Sequence, residues 1–253
     1  MKYHYVWFLW SSAFLLPWAL LYRWFPVHRR AMLRASLLTM PFGLTEPLFV
    51  PQYWSPPSLF DLAARTGFDI ESLIFSFALG GIGVVLYNAM AGKTLVPLSA
   101  EHRDLPLHRH HRLAIVAPLI VFPPLFVLPW NPIYPAIVAM AVGALANVLC
   151  RPELKQKTWV GGLLFVLLYT VFIGGLEMLV PSYIDEVWNM QRLSGIVLLR
   201  IPIEEYLFAF TFGTYWAGVY EHLTWQQPIG EREPAFGTMR GVINGPHDAE
   251  ESS

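Results

Sequence analysis

Long apolar stretches separated by short polar joints run along nearly the whole chain, and they decide what it can fold into. A helix that crosses the hydrocarbon of a bilayer needs about 20 predominantly apolar residues. Seven stretches approach that length: residues 3–22, 31–50, 70–90, 113–130, 132–150, 159–180 and 202–222. With 55% hydrophobic and 14% charged residues and a mean hydropathy of +0.44, such a chain has too little polar surface for a soluble domain. The expected class is an all-α integral membrane protein of about seven transmembrane helices, forming one domain over residues 1–223. Lys2 ahead of an apolar run has the look of a signal peptide. That run, however, continues with aromatics to Phe25 and lacks a small-residue cleavage pattern, so a retained helix is expected.

Prolines and basic residues refine this plan. Pro123 and Pro124 remove backbone donors and predict a kink in the fourth stretch, and Asn131-Pro132 predicts a tight turn into the fifth. Arg23, Arg29, Arg30 and Arg34 lie in the first joint, Lys93, Arg103, Arg109 and Arg112 in the third, and Arg151, Lys155 and Lys157 in the fifth. The other side carries only Lys2, Arg65 and Arg192. The positive-inside rule then puts the N-terminus outside and the C-terminus in the cytoplasm of a multi-pass protein. Residues 224–253 are Gly-, Pro- and Glu-rich with no apolar period, which predicts a disordered cytoplasmic tail.

The chain also matches itself. Ile70-Glu71-Ser72-Leu73-Ile74-Phe75-Ser76-Phe77-Ala78-Leu79-Gly80 aligns without gaps on Ile203-Glu204-Glu205-Tyr206-Leu207-Phe208-Ala209-Phe210-Thr211-Phe212-Gly213, and the same register pairs Tyr87 with Tyr220. Upstream, with a small gap, Glu46, Pro51 and Tyr53 match Glu177, Pro181 and Tyr183. Hydrophobic helices share Phe and Leu by chance, but not glutamates in matching contexts. Two internal repeats, about 31–90 and 159–222, are expected. An even helix offset orients them in parallel about a pseudo-two-fold axis along the membrane normal. Glu46, Glu71, Glu177, Glu204 and Glu205 then share one depth on the outer side.

Acids inside a membrane are functional candidates, because hydrocarbon tolerates them only at a cost. A protonated glutamate in an apolar cavity can deliver its proton while an ionised neighbour stabilises positive charge. Glu204 and Glu205 are adjacent on a helix and do not face each other, so Glu204 with Glu177 or with Glu71 is the expected pair. A glutamate near a helix end can instead only tie helices together through Arg192 or Arg200, and both readings stay open. Phe75, Tyr206, Phe208 and Trp216 are candidate substrate contacts, since ring faces attract a cation by about 0.5–2 kcal/mol each. Asp69 is placed to cap the third helix, and Pro202 suits the first position of the seventh. Tyr53, Trp54, Tyr183 and Trp188 read as an interfacial belt.

The segment Ile201-Pro202-Ile203-Glu204-Glu205-Tyr206-Leu207-Phe208, after Asp185 and Trp188 in the preceding joint, resembles the Pro-x-Glu-Glu signature of the small membrane-embedded lycopene cyclases, whose domain occurs as two tandem units. The resemblance implies a redox-neutral cyclisation without cofactor: an acid protonates a terminal double bond of lycopene, a neighbouring double bond attacks the cation, and loss of a proton leaves an ionone ring. It implies Glu204 as general acid, Glu205 or Glu71 as the base or cation-stabilising carboxylate, and Glu46 and Glu177 in support. The first copy departs from the signature, with Asp69 in place of the proline and Ser72 in place of the second glutamate. A lipophilic polyene, membrane lipids and other carotenoid enzymes or a second copy are the implied partners. The alternatives are a hydratase of the same cation and a non-catalytic lipid or carotenoid binder or transporter-like protein.

Other chemistries find little support. Gly80-Gly81-Ile82-Gly83 lies within a helix rather than at a strand-to-helix turn, so it reads as close helix packing and not as a dinucleotide fingerprint. No Asp-Asp-x-x-Asp cluster is present to hold a magnesium pyrophosphate, and no lysine is placed for a mid-membrane Schiff base. The net charge of −1, with no basic stripe, disfavours nucleic acid. His102, His108, His110 and His111 read as a basic surface facing headgroups. Cys150 reads as a small helix-end residue, and no metal site is expected.

Overall fold

The computed structural model describes residues 3–230; Met1, Lys2 and residues 231–253, which hold most of the expected tail, lie outside the described residues. The order is α1 (Val6–Ala13), α2 (Leu15–Trp24), α3 (Arg29–Thr39), α4 (Leu62–Thr66), α5 (Ile70–Met90), β1 (Lys93–Pro97), α6 (Ala100–Arg103), α7 (His111–Phe126), α8 (Ile133–Cys150), α9 (Lys155–Leu179), α10 (Tyr183–Val187), β2 (Val197–Leu198), β3 (Ile201–Pro202), α11 (Ile203–Thr224) and β4 (Gln226–Gly230). Helical segments occupy all seven apolar stretches. Three of them, Ile70–Met90, Ile133–Cys150 and Pro152–Leu179, are long and apolar enough to cross a membrane.

Proline explains the shorter pieces. Pro17 has no N–H to offer the carbonyl of Ala13, and the first stretch divides there into α1 and α2. Pro41 and Pro47 do the same to the second stretch, where α3 gives way at Met40–Leu48 to a tighter 3-10 segment. That segment lies hard against the start of α5: a Cβ on Gly43 would meet the backbone nitrogen of Leu73 at 2.6 Å. The approach brings Glu46 to the first turn of α5. In the fourth stretch, α7 continues through Pro123 and Pro124 to Phe126. Asn131 makes the turn into α8, its Oδ1 accepting from the backbone N–H of Ile133 at 3.1 Å.

The helix ends follow local chemistry. The Asp69 side chain accepts from the backbone N–H of Ser72 at 2.6 Å and caps α5. Replacing Asp69 with alanine is expected to cost about 1 kcal/mol, read as a lowered unfolding midpoint of the protein in detergent. Pro202 sits one position earlier than expected: it is the extended residue before α11, with φ −57° and ψ 141°, and the helix opens at Ile203. At the centre, α5, α9 and α11 pack closely. A Cβ on Gly213 would lie 3.1 Å from the Cα of Gly162 and 2.6 Å from the Cβ of Phe165.

The end of the bundle opposite the candidate glutamates differs from the sequence expectation. β1 pairs antiparallel with β4, Lys93 opposite Gly230 and Pro97 opposite Gln226, so the stretch after Thr224 begins as a strand. Lys157, assigned to the fifth joint from the sequence, does not lie in an exposed joint. It is buried in the first turn of α9 and ion-paired with Glu221, which also accepts from Asn88 at 3.1 Å. Arg151 is likewise buried, donating to the carbonyls of Glu221 and Gln226, each at 2.9 Å. His108 and His111 are buried as well, covered by Trp225, whose ring stacks on His111 at 3.9 Å. The C-terminal end of α11 thus takes these cations and imidazoles away from solvent.

Candidate active site

All five candidate glutamates are buried, gathered where α9 ends and α5 and α11 begin. Each has its own partners, and no direct bond joins Glu204 to Glu177 or to Glu71. Glu205, 2% exposed, is the most fully coordinated. Oε1 accepts from the Tyr53 hydroxyl and from the Trp188 indole N–H at 2.6 Å, and Oε2 accepts from the Tyr169 hydroxyl at 2.7 Å. These donors come from the joint after the 3-10 segment, from the joint after α10 and from the middle of α9. The two joints are held together by an antiparallel bridge between Trp54 and Trp188, closed by Ser55 N–H to Val187 O and Asn189 N–H to Tyr53 O, both 2.8 Å. Burial, and then the Glu205 carboxylate, push the Tyr53 phenol well above its ordinary value. It therefore remains a proton-bearing donor.

Glu204 points elsewhere, as adjacent helix positions require. Its Oε1 accepts from the Tyr134 hydroxyl and the backbone N–H of Ser194, each at 2.7 Å, while its buried Oε2 has no hydrogen-bond partner. Glu71 repeats this arrangement in the first half: Oε1 accepts from the backbone N–H of Leu59 at 2.6 Å, and Oε2 is unpartnered. Glu46 accepts from the Ser72 hydroxyl at 2.5 Å and neighbours Asp69. Glu177 accepts from the N–H groups of Ser182 and Ile184 and pairs with the exposed Arg200 at 3.0 Å. Those are the bonds of an acid tying the end of α9 to its following turn.

The expected aromatic contacts divide. Phe75 and Phe208 flank Tyr169, with ring centroids 6.4 and 5.9 Å away, and so border the Glu205 cage. Tyr206 turns to the preceding loop and donates to the Leu198 carbonyl. Trp216 lies two turns further along α11 beside Phe212. A cavity of about 670 Å³ is lined by Phe126, Trp130, Asn131, Tyr134 and Arg192 among others. Tyr134 joins it to Glu204, its side chain on the cavity wall and its hydroxyl on the carboxylate. None of the four expected contacts lines this space.

Sequence reasoning missed Tyr169 and Tyr134 and read Tyr53 and Trp188 as an interfacial belt. The available signal was a hydroxyl inside an otherwise apolar run at Tyr169, and a tyrosine one turn after the Asn131-Pro132 joint. Residues 131–223 match the family model described as lycopene cyclase. That segment runs from the start of α8 through α11 and includes Tyr134, Tyr169, Glu177, Trp188, Glu204 and Glu205, whereas Glu46, Tyr53 and Glu71 precede it. No curated protein and no solved structure matches the chain.

Proposed function

Starting from the match of residues 131–223 to the family model described as lycopene cyclase, we propose that the protein cyclises the end groups of lycopene by acid–base chemistry, within a membrane domain of seven spans whose N-terminus faces out. The observation that carries this reading is the division of labour between the adjacent acids. Glu205 accepts three hydrogen bonds, which hold both of its oxygens in place. Glu204 has an oxygen left over and touches the cavity wall through Tyr134. Glu204 is accordingly the general acid and Glu205 the carboxylate that stabilises the cation and takes the proton back. Phe75 and Phe208 add ring faces beside the cage.

The steps balance without cofactor, metal or redox partner. The acid's proton adds to the terminal double bond, leaving a tertiary cation. The π pair of a neighbouring double bond then forms the ring C–C bond and moves the charge into the ring. Removal of an adjacent C–H proton restores a double bond, so the product is an isomer of the substrate. A cavity of about 670 Å³ falls within the roughly 300–1,000 Å³ common for small-molecule sites, a scale that suits one end group rather than the whole polyene.

The expected repeat bears on which half of the chain does the chemistry. Where the second half has Glu205, the first has Ser72, and Tyr183, the match of Tyr53, has a buried hydroxyl with no hydrogen-bond partner. The working site is then the second one. Expressed in cells that accumulate lycopene, the protein is expected to yield pigment with cyclised ends at unchanged mass. Hydrated pigment would favour the hydratase, and unchanged lycopene would favour a binder or transporter-like protein.

A further inference from the structure

At the far end of α11 from the glutamates, His111 of α7, Cys150 of α8 and His222 of α11 are all buried. They offer one donor atom each, all within 4.8 Å of one another. Their hydrogen bonds fix what each can donate. A carbonyl oxygen only accepts, so the 2.8 Å contact of His111 Nε2 with the His222 carbonyl puts the proton on Nε2 and leaves Nδ1 bare. Nδ1 lies 3.5 Å from the Cys150 sulfur. The 2.9 Å contact of His222 Nδ1 with the Gly218 carbonyl likewise puts that proton on Nδ1 and leaves Nε2 with its lone pair. His222 is 0% exposed, and its Nε2 has no hydrogen-bond partner.

Two imidazoles, each with one nitrogen tied to a backbone carbonyl and the other free, and a sulfur beside them are the outer-shell pattern of metal ligands. We propose that His111 Nδ1, Cys150 Sγ and His222 Nε2 bind one borderline-to-soft late-transition cation of the zinc class, clamping α7, α8 and α11 together. Tetrahedral bonds of about 2.0–2.1 Å to nitrogen and 2.3 Å to sulfur set ligand atoms roughly 3.3–3.6 Å apart. The His111–Cys150 spacing of 3.5 Å already meets this, and the other two spacings, within 4.8 Å, need to close by at most about 1.5 Å. Binding expels the thiol proton, and the thiolate offsets one of the two metal charges. That offset matters because buried Arg151 adjoins the site, although Glu153 pairs with it at 2.7 Å. The fourth position is left to water. Trp225, stacked on His111, shields one side.

The sequence held this site only in scattered form. Cys150 and His222 are remote from the histidine cluster of the third joint, and only the packing of three helix ends assembles them. The test is cobalt(II) titration of the intact chain purified in detergent, alongside elemental analysis of the protein as isolated. The expected result is about one metal ion per chain and a near-ultraviolet thiolate-to-cobalt charge-transfer band, reversed by zinc. Cys150→Ser is expected to remove the band, and His222→Ala to abolish stoichiometric binding, while both still elute as the wild type does in size exclusion. A wild-type protein that is metal-free as isolated and develops no thiolate band with cobalt overturns the proposal, whatever the variants do. Binding that persists in the Cys150→Ser/His222→Ala double variant overturns it as well.

Discussion

Glu204→Gln is expected to lower the conversion of lycopene by at least about 100-fold, the usual scale for loss of a positioned acid. The amide is nearly the same size and still accepts at one oxygen from Tyr134 and Ser194, so protein yield and elution behaviour are expected to stay those of the wild type. Glu205→Gln should be comparably severe for a different reason. An amide can accept from Tyr53, Tyr169 or Trp188, but it has no charge with which to hold a carbocation. Tyr134→Phe provides the graded control, leaving the Glu204 carboxyl in place and removing only the link to the cavity wall. Conversion assayed in membranes by pigment chromatography checks all three. Full activity in Glu204→Gln would remove that residue from the acid role, and full activity in Glu205→Gln would do the same for the cation-stabilising role.

The largest loss of stability is expected from Lys157→Met. Lys157 and Glu221 are 1% and 0% exposed at their side chains, and removing one partner strands the other as a buried charge, at a cost of about 3–5 kcal/mol. Asn88 supplies one hydrogen bond to Glu221 but no charge. The double variant Lys157→Met/Glu221→Leu is expected to regain most of that loss, because neither charge then needs a partner. Thermal unfolding in detergent reads both. A Lys157→Met protein as stable as the wild type would mean that Glu221 finds its proton or counter-charge elsewhere.

What could be read from the sequence depended on whether a feature is local. The Asp69 cap and the Asn131-Pro132 turn are decided within a few residues, and both were legible. The division of Glu204 from Glu205 was legible too, since helix geometry alone sends neighbours to different surroundings. The break at Pro17 and the 3-10 segment over Met40–Leu48 were within reach of the proline rule but were passed over for hydropathy, which counts proline among tolerated residues of an apolar run. The Glu205 cage was out of reach: Tyr53, Tyr169 and Trp188 are separated by more than a hundred residues at their extremes, and each looks alone like ordinary membrane aromatic content. The buried cations failed for the opposite reason. Lys157 and Arg151 were counted by sign, and a count of charges does not register that Glu221 and the end of α11 lie in wait for them.

The strand pair of Lys93–Pro97 with Gln226–Gly230 has a practical consequence. It anchors the chain after α11 to the joint after α5, at the opposite end of a 22-residue helix from the Pro-Ile-Glu-Glu segment, a distance of about 33 Å at 1.5 Å per residue. A fluorescent domain or affinity handle joined beyond Gly230 would therefore hang from a fixed mooring, a full helix length from the candidate acids. Surface immobilisation or distance-dependent quenching measured from that point would report on the bundle without touching its acids.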